Sequence, residues 1–127
     1  GDYESWKKLI DLVDSPSNTV FFDTGVTTET GHDAVEAIKY FGSRNRIGTV
    51  HFRNVKVTTP RYQYLETFHD DGDADLPACM QAFFDVGYEG QIDPDHTPGL
   101  IEDEVGTRAG WAFAIGQMIG MRDRGRE

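Results

Sequence analysis

The chain has one cysteine, five prolines and a shortage of positive charge. A single thiol, Cys79, cannot close an internal disulfide, so the fold must hold without covalent staples, and a reduced, cytoplasmic setting is expected. Cys79 falls inside a helical pattern and reads as a packing residue. Lys and Arg number 12 against 22 Asp and Glu, for a formal net charge of −10. That balance repels nucleic acid and anionic membrane, so neither is an expected partner. No apolar run approaches the ~20 residues that span a bilayer, and the first residues carry no secretory signal pattern. Low-complexity segments and linker-like composition are also missing. What remains is a chain of 127 residues, 38% hydrophobic, with 8 Phe, 5 Tyr and 2 Trp. Enough apolar material is present to build a core, and the length predicts a single domain over 1–127.

Hydrophobic periodicity supplies the rhythm. Residues 3–13 place Tyr3, Trp6, Ile10 and Val13 on one helical face, and Pro16 in a Ser/Asn-rich turn ends that helix. Thr19 to Phe22 is a short continuous apolar run, which suits a parallel strand covered on both faces; Asp23 and Thr24 follow, and Gly25 opens a loop. A helix over 31–41 is expected, with Thr30 as N-cap, the stripe Val35, Ile38 and Phe41 facing inward, and Gly42 as C-terminal cap. Residues 48–55 alternate as a second strand, with Val50 and Phe52 on one side and His51 and Arg53 on the other. A long connection, 56–72, leads to a helix begun by Asp73 and Asp75 and stopped by Gly87, with Leu76, Met80, Phe83 and Phe84 inward. Residues 90–95 form a third strand. A last helix over about 105–122 carries Trp111, Ile115, Met118 and Ile119 as its apolar set, with Gly116 and Gly120 allowing close helix packing. The order α-β-α-β-α-β-α predicts an α/β fold of parallel βα units.

Ionisable residues gather where the strands end: Asp23 after the first, His51 and Arg53 in the second, Asp93, Asp95 and His96 at the third. Parallel α/β folds bind ligands at the carboxyl ends of their strands. Imidazole with carboxylate suits a divalent transition ion such as Mn, Fe or Zn. Each residue also has a plainer reading. Asp23 can cap a turn, His51 can be a satisfied core histidine, and Arg53 can pair with a nearby carboxylate. Asp95 and His96 can be turn residues before Pro98-Gly99. The acidic run FHDDGD, 68–73, lacks EF-hand spacing and reads as the approach to a helix N-terminus.

Four segments occur in a specific order: VHFRNV (50–55), ETFHDDGDADL (66–76), DPDHTP (93–98) and AIGQMIGM (114–121). Together they resemble the C-terminal part of the mannonate dehydratase family. The resemblance implies a (β/α)8 TIM barrel related to xylose isomerase, of which this chain holds the last three strands with flanking helices. It also implies Mn2+- or Fe2+-dependent dehydration of D-mannonate to 2-keto-3-deoxy-D-gluconate. By position, His51 and Asp95 match metal-ligating residues, His96 matches a proton-transfer histidine, and Arg53 and Asn54 fall where substrate contacts lie. Asp23 stands where the family has a cysteine ligand, which makes the donor set harder. Asp93 stands where an arginine is usual, and Trp111 where a tyrosine is.

Three strands are fewer than the eight of a barrel. Two sheet edges would stay open, so association is expected, with a second copy or with a partner chain supplying the missing strands. The expectation is therefore an incomplete active site in the isolated chain. The alternative is a non-catalytic domain, derived from such a barrel, that binds a metal, a sugar acid or a protein.

Overall fold

A computed structural model describes residues 2–59, 63–103 and 107–125. Asp2 caps α1 (Tyr3–Asp11) by accepting from Ser5 N, and the helix buries Tyr3 and Ile10, while Val13 lies beyond its end, exposed. Strand β1 (Val20–Asp23) runs parallel to β2 (Ile47–His51), which runs parallel to the short β5 (Ile92–Asp93), in the order β1-β2-β5. The registers align Asp23 with His51 and His51 with Asp93. Three chemically useful residues thus reach the same end of one sheet.

The core lies on one face of this sheet. Phe22, Val50 and Phe52 point toward α3 (Ala34–Gly42) and α4 (Leu76–Asp85) and meet Ala37, Ile38, Phe41, Leu76, Cys79 and Phe83, all buried. Helix α4 closes with a Schellman turn: Tyr88 N bonds Phe83 O and Gly87 N bonds Phe84 O, with Gly87 at φ +70°. The Tyr88 and Phe83 rings lie 5.4 Å apart, the apolar contact such a turn favours. Cys79 is buried here, and burial pushes its thiol up to about 12, so it packs as expected and does not react.

Several expectations need correction. Burial on both faces of β1 does not hold, because Phe21 is 58% exposed on the side away from the core. Residues after Asp23 form a helix, α2 (Thr24–Glu29), where a loop was expected, because Asp23 Oδ1 accepts from Val26 N at 2.8 Å and starts the turn. Helix α3 is capped by Asp33, which accepts from Glu36 N, and not by Thr30. Its C-cap is Ser43, while Gly42 lets the helix approach Val86.

The strand expected over 48–55 is two strands. After His51 the chain leaves the parallel sheet, and Asn54 begins β3 (Asn54–Thr59), antiparallel to β4 (Gln63–Thr67), so the connection expected over 56–72 holds most of a hairpin. Thr24 fixes this break. Its hydroxyl accepts from Arg53 N at 3.0 Å and donates to Arg53 O at 2.6 Å, replacing the strand partners that Arg53 lacks.

The last helix, α5 (Arg108–Arg124), buries only Gly110 and Ala114. Ile115 and Ile119 of its expected apolar set are exposed, and space is open beside Gly116 and Gly120, so these glycines serve no close packing within the chain. Its expected start at 105 lies outside the described residues. An apolar cavity of about 500 Å³ separates α5 from α4 and β5, and of the ionisable strand-end residues only Asp93 lines it. No helix among the described residues is long and apolar enough to cross a membrane.

Candidate metal centre

At the carboxyl ends of the strands, the open face of the sheet carries a connected group of ionisable side chains. His51 projects from the end of β2 against the Phe21 ring, 4.2 Å away between centroids. Its Nδ1 lies 3.7 Å from Asp23 Oδ2 and 3.2 Å from Asp95 Oδ2, and its Nε2 lies 3.8 Å from Asp93 Oδ1. One donor atom each from Asp23, His51 and Asp95 lies within 4.8 Å of the others. This is a group that could hold a metal ion.

Local structure aims these residues. Asp23 ends β1 and caps α2 with one oxygen, leaving the other toward His51. Asp95 sits at φ +60°, a left-handed conformation that costs most residues energy but that Asp tolerates. Asp93 holds it there by accepting from Asp95 N at 3.0 Å. Asp93, in register with His51, therefore shapes the turn that swings Asp95 back toward the histidine.

Arg53 is the buried cation of the group, with its side chain 4% exposed. Nε donates to Asp23 Oδ2 at 3.0 Å, Nη2 to Glu29 Oε1 at 3.0 Å, and Nη1 to Glu66 Oε2 at 3.2 Å, while Asp95 Oδ2 lies 3.7 Å from Nε. Burial alone would lower its pKa, but Asp23, then Glu66 and Glu29, raise it, so the charge is secure. Gly25 is required for this placement, because a Cβ there would meet Arg53 Cζ at 2.6 Å. Tyr64 covers the guanidinium from β4, at 5.9 Å.

Asn54 lies beside Arg53 but is turned into the protein. Its amide donates to His69 O and Ala74 O and accepts from Val55 N and Ala74 N, which folds the 69–74 loop against β3. His96 is the most open member, 51% exposed, with Nε2 3.0 Å from Asp95 Oδ2 and Nδ1 3.2 Å from Glu66 Oε2.

Sequence reasoning thus named Asp23, His51, Arg53, Asp95 and His96, which the fold brings together, and Asn54, which it places behind them. It missed Glu29, Glu66 and Tyr64. Glu29 ends an unexpected helix, and the other two lie on an unexpected hairpin. Their only early signal was alternation in QYLET, where Tyr64 and Glu66 share a face.

The charge balance favours a cation. Asp23, Glu29, Glu66 and Asp95 lie around one arginine and Asp93 lies beside His51, with two histidines that charge only on protonation. Burial pushes the Glu66 carboxyl up, against the pull of Arg53 and His96. One imidazole and two carboxylates form a donor set suited to a hard or borderline divalent ion.

The profile of the D-mannonate dehydratase (UxuA) family matches residues 1–123. A mannonate dehydratase of Enterococcus faecalis is 43% identical over 102 residues, which is 78% of this chain and 28% of that protein. One from Thermotoga maritima is 41% identical over 96 residues, 73% of this chain and 26% of that protein. The chain therefore spans about a quarter of the length of these relatives. A crystal structure of mannonate dehydratase from Streptococcus suis serotype 2 superimposes with a TM-score of 0.84 at 25% identity, covering 98% of this chain and 37% of that one. A xylose isomerase domain protein from Planctomyces limnophilus matches in fold, with a TM-score of 0.76 at 18% identity, covering 98% of this chain and 44% of that one. By the family profile and these relatives, the chain belongs to the D-mannonate dehydratase family.

Proposed function

We propose that this chain is the metal-bearing C-terminal portion of a D-mannonate dehydratase, forming the last three strands of a (β/α)8 barrel as one domain over 1–127. The observation that carries the reading is the convergence of Asp23, His51 and Asp95 donor atoms, within 4.8 Å, from the ends of parallel strands. The exposed ring of Phe21 on the same face supports it, since the interior of a barrel would cover that face.

Under this reading His51 and Asp95, with Asp23, hold Mn2+ or Fe2+. Such an ion, when bound, supplies Lewis acidity that eases removal of the proton beside the substrate carboxylate. His96, open to solvent and next to Asp95, moves a proton to or from the substrate. Arg53 belongs to the substrate side of the site, and Asn54, whose amide is bonded to the backbone of His69, Ala74 and Val55, supports it from behind. Arg53, three of whose five N–H groups bond Asp23, Glu29 and Glu66, supplies the positive charge that favours a sugar-acid carboxylate there. Strands contributed by other parts of the barrel, in the same or a separate chain, complete the substrate pocket and cover the free edges of β1 and β5.

Calorimetric titration with Mn(II) tests the centre: the chain binds one ion, and His51→Ala abolishes the heat. Equal binding by both would remove His51 as a ligand. D-Mannonate offered to the 127-residue chain alone is expected to yield no 2-keto-3-deoxy-D-gluconate, and product formation would refute the need for further strands.

A second reading, a non-catalytic metal-binding domain, draws on Asp23. One of its oxygens caps α2 and the other accepts from Arg53, so both already have partners. In that case Asp23→Asn leaves Mn(II) affinity unchanged, whereas a ligand role costs it at least tenfold.

A further inference from the structure

The chain keeps its sulfur away from the strand ends. It has one cysteine and three methionines. Cys79 and Met80 are buried in the core, and Met118 and Met121 pack against it. The centre on the open face is built from two carboxylates and one imidazole, with His51 Nδ1 3.7 Å from Asp23 Oδ2 and 3.2 Å from Asp95 Oδ2. Among the described residues its donors are therefore oxygen and nitrogen alone. Carboxylate oxygen suits hard ions, whereas thiolate and thioether sulfur suit soft ones.

Asp23 is the donor whose chemistry the fold fixes most closely. Its Oδ1 accepts from Val26 N at 2.8 Å and starts α2, while its Oδ2 accepts from the buried Arg53 Nε at 3.0 Å. A carboxylate can do both and still meet an ion, because its two oxygens offer about four lone-pair sites. A thiolate is a single atom that accepts hydrogen bonds weakly, so it could not cap α2, meet Arg53 and ligate at once. Asp23 is also the one buried member of the three, 8% exposed, so water does not readily take its place at an ion.

We infer that Asp23 determines which ions the centre selects. With its oxygen in place the centre takes hard ions, Mg(II) as well as Mn(II), and gives soft ions such as Cd(II) little extra advantage. This selectivity rests on the reading above that the centre holds a divalent ion, and it names the residue that sets the choice. The same two hydrogen bonds that tie Asp23 to α2 and to Arg53 keep a hard donor at the end of β1.

Competition titrations on the 127-residue chain, with Mn(II) followed by electron paramagnetic resonance, test this without activity. In the wild type, excess Mg(II) displaces Mn(II), and Mn(II) that Mg(II) cannot displace would overturn the inference. Asp23→Cys is expected to raise the ratio of Cd(II) to Mn(II) affinity by on the order of 100-fold, because it exchanges a hard donor for a soft one in contact with the ion, where even outer partners are worth about 10- to 100-fold. An unchanged ratio in the folded variant would overturn it too. Should Asp23→Cys fail to fold for want of the α2 cap, Asp23→Asn serves instead, since Asn caps helices as well as Asp does. It keeps an oxygen but loses the charge, on which a hard ion depends more than a soft one. Mg(II) affinity should then fall further than Cd(II) affinity, and an equal fall in both would count against Asp23. A wild-type chain that binds none of these ions removes the metal reading and this inference together. Binding with a ratio that no Asp23 variant moves removes the inference alone.

Discussion

The ionisable end of the sheet has two halves that differ in dryness and in how far their charges are satisfied. On one side Arg53, Asn54, Glu29, Glu66 and the buried His69 form a dry half, in which the guanidinium spends its donors on three carboxylates. On the other side His51, Asp95 and His96 are a quarter to a half exposed and point donor atoms at one another across 3.0–3.7 Å with no cation of their own. Asp23 belongs to both. The difference separates structure from function by pairing: every carboxylate of the dry half accepts a hydrogen bond from Arg53, while in the open half Asp95 and the two imidazoles have only one another and a distant guanidinium, and can take a ligand.

The largest expected effect breaks the dry half. Arg53→Met keeps the stem but leaves Asp23, Glu29 and Glu66 facing one another. Losing one partner of a buried ion pair costs about 3–5 kcal/mol, a large share of the roughly 5–15 kcal/mol that holds a domain together. Thermal melting followed by circular dichroism should fall by on the order of 10 °C or more. A shift of only a degree or two would mean that the three carboxylates are solvated and the halves do not differ.

Breaking the open half should do the reverse. His51→Ala removes a partly exposed ring with no side-chain hydrogen bond, so the melting temperature should move far less than for Arg53→Met. Mn(II) affinity, however, should drop by on the order of 100-fold or more, since even outer-shell partners of a metal cost 10- to 100-fold. A variant that lost stability and kept affinity would invert the assignment of the two halves.

His69 sharpens the comparison through pH. It is buried against Phe52, and burial lowers its pKa below the ordinary 6.5, outweighing the Phe52 backbone and Asp70, which raise it. The unfolded chain therefore takes up a proton at a pH where the folded chain does not. Stability is full above about pH 6.5 and declines as pH falls toward the lowered folded value. His69→Phe, which keeps a ring beside Phe52, should flatten urea-unfolding stability between pH 7 and pH 5. An unaltered slope would place the acid sensitivity elsewhere.

How much of this was legible without coordinates follows from what each residue's role depends on. The helices α1, α3 and α4 and the strand β1 were readable because local pattern and burial agree: Ile38, Phe41, Leu76 and Phe83 repeat at helical spacing and all are buried. The hairpin was not. Its residues carry alternation too weak to separate it from a loop, and its start depends on Thr24, distant in sequence, bonding the backbone of Arg53. In the site, Asp23, His51, Asp95 and His96 stood out because they follow apolar strands directly. Glu29 and Glu66 did not, since a carboxylate on an exposed-looking segment becomes special only when the fold lays a buried arginine beside it. Helix α5 was read as half-buried from its apolar residues, yet much of that surface remains open. The sequence pattern records an apolar face, and among the described residues nothing covers much of it.

Glu66 tests the boundary between the halves with the smallest expected effect. Burial raises its pKa despite Arg53 and His96, so the folded chain holds its proton more tightly than the unfolded chain does. The sign is opposite to that of a paired surface carboxylate: stability is greatest below the ordinary carboxylate pKa and declines as pH rises through the raised folded value. Glu66→Gln mimics the protonated form. In the metal-free chain at pH 7 it should match or exceed the wild type, by no more than about 1 kcal/mol, and its stability should vary less with pH between 4 and 7. Urea titrations at four or five pH values in that range measure both quantities. If Glu66→Gln were instead destabilised by more than about 1.5 kcal/mol, as expected for a charged hydrogen bond lost from Arg53, Glu66 would belong wholly to the dry half. A stabilised Glu66→Gln would detach it from the dry half, as a carboxylate whose burial costs the fold more than its bond to Arg53 returns.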